Sequence, residues 1–123
     1  MTRVYENEKW MVGIKNWKPA NDITGIDCLE RHNETDELFV LIAGSCTLLI
    51  ATENPASALD IKATAMEQNK VYNIPRSLWH NTVTTQDTKL ILVEDSSTGA
   101  ANSEVRPLDA TQLAEVRNLV ARA

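Results

Sequence analysis

The chain has 123 residues, 43% hydrophobic and 24% charged, a balance that suits one soluble folded domain and excludes a disordered chain. Seventeen acidic residues against twelve basic ones give a net charge of −5, which counts against nucleic acid or an anionic membrane as the main partner, since both need a basic surface. The longest apolar run, 38–43, is too short to span a bilayer.

Short apolar stretches separated by turn residues at fairly even spacing predict an all-β sandwich or barrel. Residues 1–19 form an N-terminal segment with no apolar signal core and one strand near Trp10–Ile14. Further strands are predicted at Gly25–His32, Glu37–Ala43, Cys46–Ala51, Leu59–Thr64, Lys70–Ile74, His80–Thr84 and Lys89–Glu94. Gly44-Ser45, set between two apolar runs, predicts a tight hairpin joining Glu37–Ala43 to Cys46–Ala51. The β core spans 20–95. The small, polar residues that follow predict a loop over 96–107. Helical periodicity then predicts a helix over 108–122: Asp109 as N-cap, Gln112 completing a capping box, Leu108 and Leu113 as a hydrophobic staple. Leu113, Val116, Leu119 and Val120 share one face. That face is expected to dock on the chain's own barrel, because an exposed apolar stripe is a liability.

Chemistry has few places to reside. There are two histidines, His32 and His80. In a strand, Glu30 and His32 point the same way, together with Cys28 and Ile26. Glu37 opens the next strand, with Phe39 on its face. His80 lies near the start of a strand behind the turn at Pro75, and Trp79 faces the opposite side, toward a sheet–helix contact or a dimer contact. Glu34 and Asp36 read as solvated turn carboxylates. Cys28 and Cys46 lack metal-site spacing and are expected as free thiols in a reducing, cytoplasmic setting. Inward histidines are also consistent with hydrogen-bonded core residues paired with Glu37 or Glu30.

These residues resemble the two motifs of a small single-domain cupin. Glu37, six residues and Gly44 match the end of the first motif, and His32 matches its second histidine. The first histidine position is held by Glu30, and the preceding glycine is nearest Gly25, one residue out of register. Pro75 and His80 match the second motif, whose glycine positions fall on Asn69 and Ser77 and whose asparagine position falls on Thr84. The resemblance covers roughly residues 20 to 95. It implies a double-stranded β-helix (jelly-roll) barrel with a short C-terminal α-helix, one domain overall, and a metal site in the barrel mouth.

Carried over position by position, the metal ligands are Glu30, His32, Glu37 and His80. Imidazole with carboxylate suits divalent Fe, Mn, Zn or Ni, and the second carboxylate shifts preference toward Mn or Fe(II). The expected function is a divalent-metal-binding small-molecule enzyme of isomerase, dioxygenase or lyase type. The alternative is a metal-free binding or sensor module for a small polar ligand such as a sugar or carboxylic acid. The chain has no nucleophile elbow, phosphate loop or Cys-Xaa-Xaa-Cys that would point elsewhere. The family also implies a homodimer with a small-molecule ligand in the barrel, while the net charge and short apolar runs point to neither nucleic acid nor membrane as partner.

Overall fold

Period-two alternation sets the direction of each strand. Along Glu37–Ala43, residues 37, 39 and 41 are buried while their neighbours are not, so one face of the strand meets the barrel interior and the other does not. In the computed structural model, which describes residues 1–56 and 58–123, ten strands and one helix follow this logic. They are β1 (Thr2–Glu6), β2 (Trp10–Asn16), β3 (Cys28–His32), β4 (Glu37–Ala43), β5 (Cys46–Glu53), β6 (Leu59–Ala65), β7 (Val71–Ile74), β8 (Trp79–Thr84), β9 (Lys89–Asp95), β10 (Ser103–Pro107) and α1 (Ala110–Arg122).

The strands make two five-stranded sheets, ordered β1-β2-β9-β4-β7 and β10-β3-β8-β5-β6. All pairings between named strands are antiparallel. Their facing surfaces enclose a core of Met11, Phe39, Leu41, Cys46, Leu48, Met66, Ile74, Leu90 and Leu92. A second core forms on the outer side of the second sheet, where Leu29, Leu49, Ala51, Trp79 and Val83 meet Val116, Leu113, Leu119 and Val120 of α1. The helix thus docks on its own barrel. Its N-terminus is capped as the sequence predicts: Asp109 accepts from the Gln112 backbone N–H at 2.8 Å, and the Gln112 side chain accepts from the Asp109 N–H at 2.9 Å. Strand β8 lies between the two cores and is buried at all six positions.

Three local expectations are corrected. Gly44-Ser45 does not close a hairpin: β4 pairs with β7 and β9, whereas β5 pairs with β6 and β8 in the other sheet. The turn instead carries the chain across the barrel. Gly44 sits at φ +70°, and a Cβ there would lie 2.6 Å from the Asp87 and Thr88 backbone, so a side chain is excluded on two counts. Second, residues 103–107 of the expected loop form β10, paired in continuous register with β3 from Ser103–His32 to Pro107–Cys28. This short edge strand has little apolar content, and its pairing is set by β3. Third, the strand expected from Gly25 begins only at Cys28. The Gly25 and Ile26 N–H groups turn back to the Asp22 carbonyl at 3.0 and 2.9 Å, which sends Ile26 to the helix-side core.

The outer face of the first sheet is uncovered by any other part of the chain described. Two cross-strand rows run over it, Val12–Val93–Leu38 and Ile14–Ile91–Val40–Val71. Val71 is 66% exposed. Among the described residues, no helix is long and apolar enough to cross a membrane.

Candidate metal centre

His32 ends β3, Glu37 opens β4, His80 is the second residue of β8, and Glu94 is the last inward position of β9. Strand direction brings these four ends to one end of the barrel interior, and Glu30 pairs across to His80 in register. Glu37 Oε1 lies 3.0 Å from His80 Nε2 and 3.5 Å from His32 Nε2. His32 Nε2 is also 3.9 Å from Glu30 Oε1 and 3.9 Å from Glu94 Oε2. The rings of His32 and His80 meet edge to face at 5.4 Å, and Phe39 packs against His80 at 6.3 Å. Glu37 and His80 are buried, and Glu30 is partly open to solvent.

Both imidazoles are oriented from behind. The Nδ1 of His80 lies 2.9 Å from the Leu78 carbonyl, which can only accept, so Nδ1 carries the proton and donates. Its Nε2 is then left to share either a second proton or a cation with Glu37. His32 Nδ1 lies 2.7 Å from Ser103 Oγ, supplied by β10. Partners of this kind on the far nitrogen fix the ring and tautomer of metal-binding histidines.

Electrostatics divide the two buried carboxylates. Burial pushes the Glu37 carboxyl upward, but its contacts with His32 and His80 overturn this and bring it to about 2. The Glu94 carboxyl is raised to about 8, first by burial and then by the negative charge of Glu37. Contact with Glu37 raises His32 above its ordinary value. Glu94 Oε2 is buried with no hydrogen-bond partner, an uncommon state for a carboxylate oxygen.

Two overlapping sets, Glu30–His32–His80 and His32–Glu37–Glu94, each place their donor atoms within 4.8 Å of one another. Ligands bonded at ~2.1 Å stand roughly 3 Å apart at a right angle and about 3.5 Å apart at the tetrahedral angle. The spacings of Glu37 to the two histidines fall at these values, and an orphaned carboxylate oxygen faces the same hollow. The residues present therefore fit a divalent cation.

All four residues singled out in the sequence belong to these sets, and Glu94 joins them. Nothing in the first or second motif marks Glu94. Its signal is the alternation Leu90, Leu92, Glu94 along β9, which places an acid on the same inward face as two core leucines. Glu34 and Asp36 are exposed, accepting from Asn102 Nδ2 and the Arg76 N–H at 2.9 Å each. Both cysteines are free. Burial pushes the Cys46 thiol up to about 12.

A groove of about 600 Å³ runs along the rim of the first sheet past Trp10, Leu38, Arg76 and Val93 and reaches the cluster at Glu94. A pocket of about 100 Å³ borders it from the other side at Glu30.

No protein-family model matches the chain, and no curated protein does. Solved structures are similar in fold. A cupin-2 domain protein from Shewanella frigidimarina has a TM-score of 0.51 at 18% identity, covering 76% of each chain. Pac13, a nucleoside dehydratase, whose Streptomyces protein has been solved with uridine, has a TM-score of 0.59 at 6% identity over 89% of this chain and 78% of its own. A 3,4-ketoisomerase from Helicobacter canadensis has a TM-score of 0.58 at 12% identity, over 87% and 74%. At these identities the likeness is one of fold, and the chain has the cupin fold: a double-stranded β-helix barrel. Proteins of this architecture include enzymes acting on small molecules.

Proposed function

We propose that this chain is a divalent-metal-dependent enzyme acting on a small molecule, of isomerase, dioxygenase or lyase type, with Glu30, His32, Glu37 and His80 as the metal ligands. One observation carries the reading: two imidazole Nε2 atoms from distant parts of the chain face a single buried carboxylate oxygen at 3.0 and 3.5 Å. The Glu94 oxygen without a hydrogen-bond partner supports it, because a cation there would take the place of the proton that burial otherwise holds on this carboxyl. Three carboxylates around two imidazoles favour a hard ion, Mn or Fe(II), over one selected by thiolate.

The ion would supply polarisation of a substrate oxygen pair. The chain supplies the rest. Ser103 and the Leu78 carbonyl hold the imidazoles in orientation from behind. Phe39 closes one side of the hollow against His80. Glu30, partly open to solvent, lies where a substrate would enter from the flank.

Elemental analysis of protein purified without chelator tests this, together with melting temperature against added divalent ions. Bound metal and a rise in melting temperature are expected. An empty protein that no divalent ion stabilises overturns the reading, and leaves the same hollow as a metal-free binding module for a sugar or carboxylic acid.

A second copy of the chain fits the uncovered face of the first sheet. Its two rows of apolar side chains carry no charge across four strands, and such a surface is self-complementary about a two-fold axis.

A further inference from the structure

On the flank of the barrel, β2, β3, β8 and the 3-10 turn Pro19–Asn21 enclose the pocket of about 100 Å³ that borders Glu30. Its walls include Lys15, Lys18, Asn21, Cys28, Glu30 and Asn81. Three features set it apart from a packing defect.

The first is Lys15, which alternation along β2 places on the inward face with Met11 and Gly13. It is half-buried, and its ammonium donates to Thr82 Oγ1 at 3.1 Å. Among the described residues no carboxylate comes within ion-pair distance of it. Burial lowers its pKa, although the charges of Glu30 and Glu37 act in the opposite direction. An anion beside it would relieve that cost.

The second is Asn21, only 3% exposed. Its Nδ2 donates to Asn81 Oδ1 and to the Thr82 carbonyl, both at 3.0 Å. Two oxygens against one end of the amide fix that end as the nitrogen. The other end, Oδ1, is buried and accepts from nothing. Asn81 turns its oxygen toward Asn21, where Oδ1 also takes the Thr82 N–H at 2.8 Å, while its Nδ2 donates to the Cys28 carbonyl at 2.9 Å.

The third is charge. The wall includes two lysines, of which Lys18 is exposed, and one glutamate, a balance that suits an anion.

We infer that this pocket is the carboxylate subsite for the enzyme's substrate, and that the substrate class is a short hydroxycarboxylate. Its carboxylate pairs with Lys15 Nζ, and a hydroxyl donates to Asn21 Oδ1. Glu30 is common to the pocket and to the metal set, so the two adjoin. This deepens the metal-enzyme reading and rests on it for the word substrate. The volume is far below the ~300 Å³ of a drug-sized site, so the bound part is a few heavy atoms.

Isothermal titration of the Mn²⁺-loaded protein tests the inference, with lactate as ligand and lactamide and propionate as matched controls, the one lacking the charge and the other the hydroxyl. Lactate is expected to bind at least tenfold more tightly than either. Lys15→Met should lose at least tenfold in lactate affinity, Lys15→Arg should recover part of it, and Lys15→Met should not weaken Mn²⁺ binding measured in a separate titration. Equal affinity for lactate and lactamide overturns the inference, and so does undiminished lactate binding in Lys15→Met. If Mn²⁺ binds and lactate does not, the subsite is wrong while the metal reading stands. If Mn²⁺ does not bind, the same lactate, lactamide and propionate series on the metal-free protein still decides the subsite. The comparison of ligands on the unmodified protein needs no variant to fold.

Discussion

Glu37 and His80 meet at 3.0 Å from opposite sheets, one opening β4 and the other near the start of β8. The contact ties the two halves of the barrel together at the site. Replacing Glu37 by Gln keeps the shape and removes the charge that both imidazoles face. Glu37→Gln should abolish the rise in melting temperature with Mn²⁺ and lower stability by about 1–3 kcal/mol, the usual cost of weakening a buried polar contact. Calorimetric melts with and without the ion measure both effects. A metal-induced rise of wild-type size in this variant would remove Glu37 from the ligand set.

The two buried carboxylates give the chelated, metal-free protein a definite dependence on pH. Glu94 has its folded value raised from 4.5 to about 8. The folded protein therefore holds its proton more tightly than the unfolded chain, and stability falls as pH rises between these values, at up to about 1.4 kcal/mol per pH unit for one group. His32 acts in the same sense: its raised value gives stability at low pH that is lost as pH climbs through it. Glu37, lowered to about 2, opposes them only on the acid side, its contribution fading as pH falls from 4.5 towards 2. Denaturant midpoints of the chelated protein should therefore decline from pH 5 to pH 8. Glu94→Gln should flatten that decline, and a slope as steep in the variant as in the wild type would contradict the assignment to Glu94.

Two of the four glycine positions in the cupin motifs make a further test, because side chains stand there. Asn69 and Ser77 adopt φ of 65° and 66°, the left-handed region, as Gly44 does at 70°. The backbone has kept the shape that the motif glycines serve. Ser77 is held in it by its N–H to the His32 carbonyl at 2.7 Å and its hydroxyl to Asn33 Oδ1 at 2.9 Å. Ser77→Ala loses the hydroxyl bond and keeps the steric cost, about 1–2 kcal/mol for a residue with a Cβ. Ser77→Gly loses the bond and relieves that cost. Urea midpoints should thus rank wild type and glycine variant above the alanine variant, and the reverse order would argue against strain at this turn.

Val40→Lys places a charge in the middle of the apolar rows on the first sheet. Light scattering on the wild-type protein is expected to give twice the chain mass, and on this variant the mass of one chain, with circular dichroism unchanged. A wild-type monomer at high concentration would refute a twin on this face.

Much of the architecture was legible in the sequence, and the reasons are local. Alternation in β4 and β9 matches their inward apolar residues, and the capping box at Asp109 announces α1. The pairing of strands was less legible. Gly44-Ser45 has the composition of a hairpin turn, yet β4 finds its partners in β7 and β9, far away in the chain, because each sheet is completed by strands from both ends. A turn's residues determine its shape but not which sheet receives the next strand. At the site, the motif spacing led to Glu30, His32, Glu37 and His80, which the fold gathers at one end of the barrel. Glu94 and Lys15 lie outside both motifs. They are found only by asking which charged residues occupy inward positions of otherwise apolar strands, a question that needs the sheet order to answer.

Strand β8 presents His80 to the hollow and the adjoining Trp79 to the helix, so consecutive residues look out on opposite chambers. The indole is pinned there, its ring under the Arg31 guanidinium at 4.3 Å and its Nε1–H on Glu53 at 3.2 Å. Any backbone shift at His80 on occupation of the interior would move this fluorophore relative to the Arg31 guanidinium. The emission of Trp79 is therefore expected to change on ligation, measured against a variant that lacks this indole.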